Sequence, residues 1–163
     1  MNSIFPGATE NIDALYDFTL TSAANEHWRI EIGLINEGLS KTIFENTHIE
    51  LENFLISLDT HGIRHILRQH GTIETEKNRG QKVIQKKELR LLIKIIQQPD
   101  IISNAGKSAL GNDCILFQKE IKEVFYFSIW EVRKVTSVKK QNKKKSRIML
   151  QTFYGQVQSK KPS

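Results

Sequence analysis

The spacing of apolar residues changes once along this chain, at Pro99. Before it, "KKELRLLIKIIQQPD" sets Leu89, Leu92, Ile93 and Ile96 at i, i+3, i+4 and i+7. That is the single stripe of an amphipathic helix, and proline stops it. After it, "DCILFQKE", "KEVFYFSIWEV" and "SRIMLQTFYG" are rich in β-branched and aromatic residues and read as strands. The last two flank "KKQNKKK" as the arms of a hairpin flank its tip. Upstream, residues 10–17 predict a short helix, residues 27–35 ("HWRIEIGLI") a strand, residues 40–47 a weak helix and residues 53–59 ("NFLISLD") another strand. Helices followed by a run of antiparallel strands define an α+β domain. Trp28 and Trp130 read as core residues of this domain, with base stacking an alternative for Trp28 at its strand start.

The stretch "HGIRHILRQHG", residues 61–71, holds three of the five histidines. Asp59 or Thr60 is its natural N-cap, and Gly71 its expected left-handed end. At 100° per residue, Ile66 and Leu67 fall within about 60° of Ile63 and define the buried side. His70 lies about 20° from Ile63 and points with the stripe, whereas His65 lies about 160° away beside His61, Arg64 and Arg68. His61 and His65 are four apart, but Gly62 stands where a zinc protease carries its glutamate base, and the spacing offers no third ligand. For His70 two readings stay open: a cap that satisfies terminal carbonyls, and a reactive group.

Charge adds a second theme. Residues 1–132 carry 14 basic and 18 acidic side chains, net −4; residues 133–163 carry 10 basic and none acidic, and the whole chain is therefore +6. A basic block confined to one end favours a polyanionic partner, through counterion release from phosphates. The plainer reading is a solvated hairpin tip or tail. The lone Cys114 excludes an internal disulfide. No signal peptide and no apolar run of spanning length is apparent, so a cytoplasmic site of action without a membrane partner is expected.

Taken in order, "DTHGIRHILRQHG", "TEKNRGQKVI", "QQPDII", "ILFQKE" and "LQTFYG" resemble the phage-associated nucleases of the barnase–EndoU–colicin–RelE superfamily. The resemblance spans residues 54–154, and "TEKNRGQ" together with the histidine helix is its most specific part. It implies N-terminal helices packed on a four- to five-stranded antiparallel sheet. The nuclease domain would occupy residues 51–156, with residues 1–50 an N-terminal extension and 157–163 a basic tail. It further implies a metal-independent endoribonuclease that needs no cofactor. The ribose 2′-OH attacks the phosphate and a 2′,3′-cyclic phosphate results. Such chemistry needs a base, an acid and cations for the phosphorane charge.

Matched position by position, the resemblance assigns His65 and His70 to proton transfer, Arg79 to the phosphate and Lys119 to the developing charge. Thr152 and Tyr154, two apart on a strand and so on one face, would bind a phosphate oxygen or stack on a base. Glu76, Gly80 and Gln81 would line the substrate loop, with Lys139, Lys140, Lys143, Lys144 and Lys145 along the RNA backbone. RNA, including transfer RNA, is the implied partner, with an acidic immunity protein or antitoxin as its inhibitor. Delivery as a toxin without a signal peptide is compatible with this. Each assignment has a structural alternative. Arg79 can pair with Glu76, Lys119 can guard a sheet edge, Gly80 can serve backbone geometry, and Thr152 and Tyr154 suit strands by propensity alone. Two other functional classes stand beside the enzyme: an RNA-binding module without catalysis, and a protein-interaction partner of regulatory or immunity type.

Overall fold

The structure, a computed structural model, describes residues 3–72, 80–135 and 145–157. Helix α1 (Ala8–Thr21) leads into strand β1 (Arg29–Leu34), helix α2 (Glu37–Thr47), strand β2 (Leu55–Asp59) and helix α3 (Thr60–His70). Strand β3 (Gln81–Lys82) and helix α4 (Lys86–Gln97) follow. Strands β4 (Ile101–Lys107), β5 (Asp113–Ile121), β6 (Val124–Arg133) and β7 (Arg147–Val157) complete the described part. The strands form one sheet in the order β1-β2-β7-β6-β5-β4, and β3 also pairs with β7. An α+β class is therefore correct, with seven strands where four or five were expected. The pairing is antiparallel throughout except between β2 and β7, which run parallel.

Residues 3–50 belong to this same body. Strand β1 pairs along β2, and Ala8, Ile12 and Leu15 of α1 are buried with Ile30 and Ile32 in the core that also holds Trp130 and Phe153. No membrane-spanning helix, meaning one long and apolar enough, occurs among the described residues.

The α4 stripe packs as its period predicts, with Leu89, Leu92 and Ile96 fully buried; Ile95 is buried as well, and Ile93 lies at the core's margin. Helix α3 begins on Asp59, whose Oδ1 accepts the Gly62 amide at 2.8 Å. It ends at Gly71, but not in the left-handed conformation: φ is −94°. The last helical carbonyl is taken instead by the returning chain, through Ile84 N–H to His70 O at 2.7 Å. Glycine is still required there, because a Cβ would sit 2.4 Å from Leu67 O. Trp130 is a core residue, with Nε1 donating to Ser128 Oγ. Trp28 is not: it is 38 % exposed and meets the edge of Phe18.

Strand β7 decides where the site lies. It pairs with β6 on one side; on the other, β2 covers 147–149 and β3 covers 155–156. Helix α3 starts where β2 stops and runs beside the remaining stretch. A Cβ on Gly62 would lie 2.7 Å from Leu150 O, so only glycine permits this approach. In the same stretch the register with β6 shifts: Trp130 opposes Leu150 and Ile129 opposes Thr152, leaving Gln151 as the extra residue of a β-bulge. The bulge reverses the alternation of side chains. Ile148, Leu150 and then Phe153 point into the core, each at most 1 % exposed. Thr152 and Tyr154, which strict alternation from Leu150 would bury, turn to the opposite face of the sheet.

Candidate functional site

That opposite face carries the candidate site. A cleft of about 360 Å³ is lined by Asp59, His61, Gly62, His65, Arg133, Leu150, Gln151 and Thr152. Helix α3 supplies His61 and His65, one turn apart and both exposed, while Ile63 and Ile66 on its other side enter the core. The bulged strand supplies Gln151 and Thr152, and the end of β6 supplies Arg133. A cavity of about 510 Å³ between α2 and α4 is larger, but its lining, which includes Ser3, Asn36, Thr42 and Gln97, holds no ionisable side chain. The smaller cleft brings two histidines and an arginine together.

Arg133 is held in place. Its Nε donates to Glu131 Oε1 at 2.6 Å, and Glu131 is only 2 % exposed. Burial raises the Glu131 pKa, but hydrogen bonds from Ser108, Arg133 and Asn112 outweigh it, and the carboxyl is kept below its ordinary value. The anchor is therefore ionised at neutral pH. Among the described residues the Nη groups of Arg133 have no hydrogen-bond partner, and two parallel donors suit a phosphate. The His65 imidazole titrates below the ordinary histidine value. Partial burial is the first cause, followed by the positive charges of Arg68, His70 and His61. At neutral pH it is a neutral base.

His70 sits at the outer end of the same helix, half-buried. Its ring stacks on Tyr154 with centroids 5.5 Å apart, and its Nδ1 lies 3.1 Å from Gln81 Oε1. Tyr154 stacks in turn on Phe127 at 5.0 Å. Helix, bulged strand and β3 thus bring His65, Thr152, His70, Tyr154 and Gln81 together on one side of the sheet.

Lys119 is not among them. It pairs with Tyr126, which pairs with Gly155, whereas Tyr154 shares its row with Phe127 and Gln118. Alternation then puts Lys119 on the core face, opposite the cleft. There its ammonium reaches Asp100 Oδ1 at 3.2 Å. The expected convergence of Lys119 with the histidines is corrected: Arg133 is the cation in the cleft. Gly80 has φ +67°, a backbone conformation that itself accounts for glycine. Glu76, Arg79, Lys139, Lys140, Lys143 and Lys144, and the tail from 158, lie outside the described residues. Lys145 is exposed at the foot of the β6–β7 hairpin, where Val135 N–H donates to Ser146 Oγ.

Three residues at or beside the cleft stand outside the expected site. Arg133 opens the basic block, and nothing in its neighbourhood marks it as the one anchored on a buried acid. His61 reads in the sequence only as a candidate metal ligand. His27, 3.3 Å from Asp59 Oδ2, precedes the motifs altogether. Arg64, by contrast, belongs to the scaffold: its guanidinium donates to the carbonyls of Ala23, Ala24 and Glu26 and to Ser22 Oγ. Among the described residues no group of three His, Cys, Asp or Glu side chains is arranged to hold a metal ion.

A mostly antiparallel sheet thus carries, where α3 meets the bulged strand, a cleft that combines histidines with an arginine. The chain belongs to the family described as phage-Barnase-EndoU-ColicinE5/D-RelE like nuclease3, whose model matches residues 33–163. Comparison with curated proteins and with solved structures yields no match.

Proposed function

We propose that this nuclease-family domain is an endoribonuclease that cleaves RNA by transesterification, without a metal. The observation that carries the reading is the single cleft in which His61, His65, Arg133 and Thr152 meet, with His65 held neutral. A phosphodiester in the cleft lies under the Arg133 guanidinium. His65 removes the proton from the 2′-OH, and the freed oxygen pair attacks phosphorus. Arg133 and the Thr152 hydroxyl donate hydrogen bonds to the phosphorane oxygens as charge builds there. The bond from phosphorus to the 5′-oxygen breaks, and that oxygen takes a proton from a second imidazole. His61 lines the same cleft and is best placed for this; His70 stands further out, braced on Tyr154. The products are a 2′,3′-cyclic phosphate and a 5′-hydroxyl.

The reading is tested by incubating the full chain with RNA in excess chelator and determining the product ends. Cyclic phosphate ends that vanish with His65→Ala are expected. Intact RNA, with affinity retained, would instead support a binding module. Ends carrying a 5′-phosphate would overturn the transesterification. A toxin role predicts that cells expressing the wild type grow poorly and that His65→Ala relieves them; equal growth of the two contradicts it. Cytoplasmic RNA as the target, and an acidic inhibitor that meets the C-terminal lysines, belong to the same proposal.

A further inference from the structure

Helix α3 presents a ridge of basic side chains with a hollow on each side. At 100° per residue, His65, His61, Arg68 and Arg64 fan in that order over about 100° of its surface. His65 faces the cleft, and His61 lines it too. On the other side a groove of about 480 Å³ separates α3 from the end of α1, with Leu20 and Leu67 as its apolar part and His61, Arg64, Arg68 and Ser22 around them. The two hollows meet at His61, which lines both. The turn that closes the groove is pinned: Arg64 donates to three of its carbonyls and to Ser22 Oγ, and Thr60 N–H donates to Trp28 O at 2.9 Å. Arg68 is exposed and makes no hydrogen bond or ion pair among the described residues, and Leu20 is 59 % exposed. No carboxylate lines the groove. Those nearby in the chain are engaged elsewhere: Asp17 with Lys86 at 2.7 Å, and Glu26 with the Ala23 N–H at 2.9 Å.

We propose that the groove between α1 and α3 is a second substrate subsite, which holds the nucleotide adjoining the cleaved linkage, with its phosphate on Arg68 and its sugar and base against Leu20 and Leu67. The proposal deepens the ribonuclease reading and rests on it. Three observations select a nucleotide as the occupant. The groove opens from the cleft across one side chain, His61, so a strand that leaves the cleft on that side enters it directly. Its Arg68 guanidinium carries paired donors that suit a phosphate, with no carboxylate in the lining to compete. Its lining joins that cation to apolar side chains, as a nucleotide joins an anion to a flat base, and its volume is that of a small-ligand site. Contacts made here hold substrate and transition state alike, so they act on affinity and favour longer RNA over a dinucleotide. The α1 wall precedes residue 33, where the family match begins, and the subsite thus gives the N-terminal segment of this chain a part in substrate choice.

The test compares short substrates on the full chain. Dinucleotides with a 2′-deoxy sugar at the linkage to be cut bind but do not react. Their affinity is measured by NMR titration, bare or with one phosphate added at the 5′ or the 3′ end. One of the two added phosphates should tighten binding about 3- to 10-fold, and the gain should shrink as salt rises. Arg68→Gln should abolish that gain and leave the bare dinucleotide unchanged. A whole nucleotide added at the same end should tighten binding further, and Leu20→Ala should reduce this second gain. Both side chains are exposed, so the variants keep the fold, which circular dichroism checks. Cleavage of the ribose forms should show the same ratios in kcat/KM; each ratio is taken within one protein, so any effect of Arg68 on His65 cancels. A gain from neither phosphate, or one that survives Arg68→Gln, overturns the subsite even where RNA is cut. A second gain untouched by Leu20→Ala overturns the seating against α1. A phosphate gain lost in Arg68→Gln, with no cleavage of the ribose forms, upholds the subsite and overturns the nuclease reading alone. A protein that neither binds nor cuts any of these compounds overturns both.

Discussion

Replacing Gly62 by alanine probes the contact that seats α3 on β7. In an exposed helix the change would stabilise, since alanine exceeds glycine in helix propensity by about 1 kcal/mol. Here the added Cβ would stand 2.7 Å from Leu150 O and 3.3 Å from Asp59 Oδ1, whereas ordinary contact begins at 3.4 Å. The helix must therefore retreat by about 0.7 Å, because Leu150 is fixed by its pairing with Trp130 and its carbonyl cannot yield cheaply. Such overpacking costs roughly 1–3 kcal/mol, so the balance is a net loss of about 1 kcal/mol. The larger effect falls on the cleft. His61 and His65 ride on α3, while Thr152 and Arg133 stay with the sheet. A misplacement approaching 1 Å between reacting groups costs on the order of 10- to 100-fold in rate. Urea denaturation should show a lowered midpoint, circular dichroism an unchanged fold, and kcat/KM on RNA a fall of that order. A Gly62→Ala protein of equal or greater stability with unaltered kcat/KM would refute the seating of α3 on the bulged strand.

Further outcomes follow from the same geometry. The acid limb of the pH–kcat/KM profile should lie below 6.5, since His65 must be neutral to act and its proton affinity is lowered; Arg68→Gln should move that limb upward. The sign for stability agrees: as pH falls below 6.5 the unfolded chain takes up the proton before the folded one, so stability declines, which denaturation across pH 7 to 5 will check. Arg133→Lys keeps the charge but loses the paired donors, and kcat/KM should fall roughly 10- to 100-fold; full activity in that variant would remove Arg133 from the phosphate. Lys119→Ala should leave kcat/KM within about two-fold of wild type, as a group on the opposite face, and a large loss would contradict the register.

The sequence announced what repeats and concealed what is singular. Helix α4 was legible because its stripe recurs over three turns, and β5 to β7 because long β-branched and aromatic runs have few alternatives. Strand β4, "IISNAGK", is hard to read because asparagine, glycine and lysine dilute its pattern. Two-residue β3 has no pattern to see, and the parallel pairing of β2 with β7 is a property of topology that neither strand encodes alone. The site was half legible. Three histidines on eleven residues drew attention to α3, and Thr152 with Tyr154 to β7. What could not be read was the phase. Counting alternation from Ile148 and Leu150 buries Thr152, and only the bulge at Gln151 turns it to the cleft. Lys119 falls on the face opposite its expected one for a similar reason, since a side chain's face depends on the register of the strands beside it.

The central claim is that the α3 imidazoles, Thr152 and Arg133 share one phosphate site from which Lys119 is excluded. Side-chain NMR during titration with a 3′-nucleotide, which mimics the cleaved end, measures this most directly. The account predicts that the ring signals of His61 and His65, the Thr152 methyl and the Arg133 Nε–H shift together with a single Kd, while Lys119 Nζ stays fixed. Movement of Lys119 with the histidines silent would contradict it.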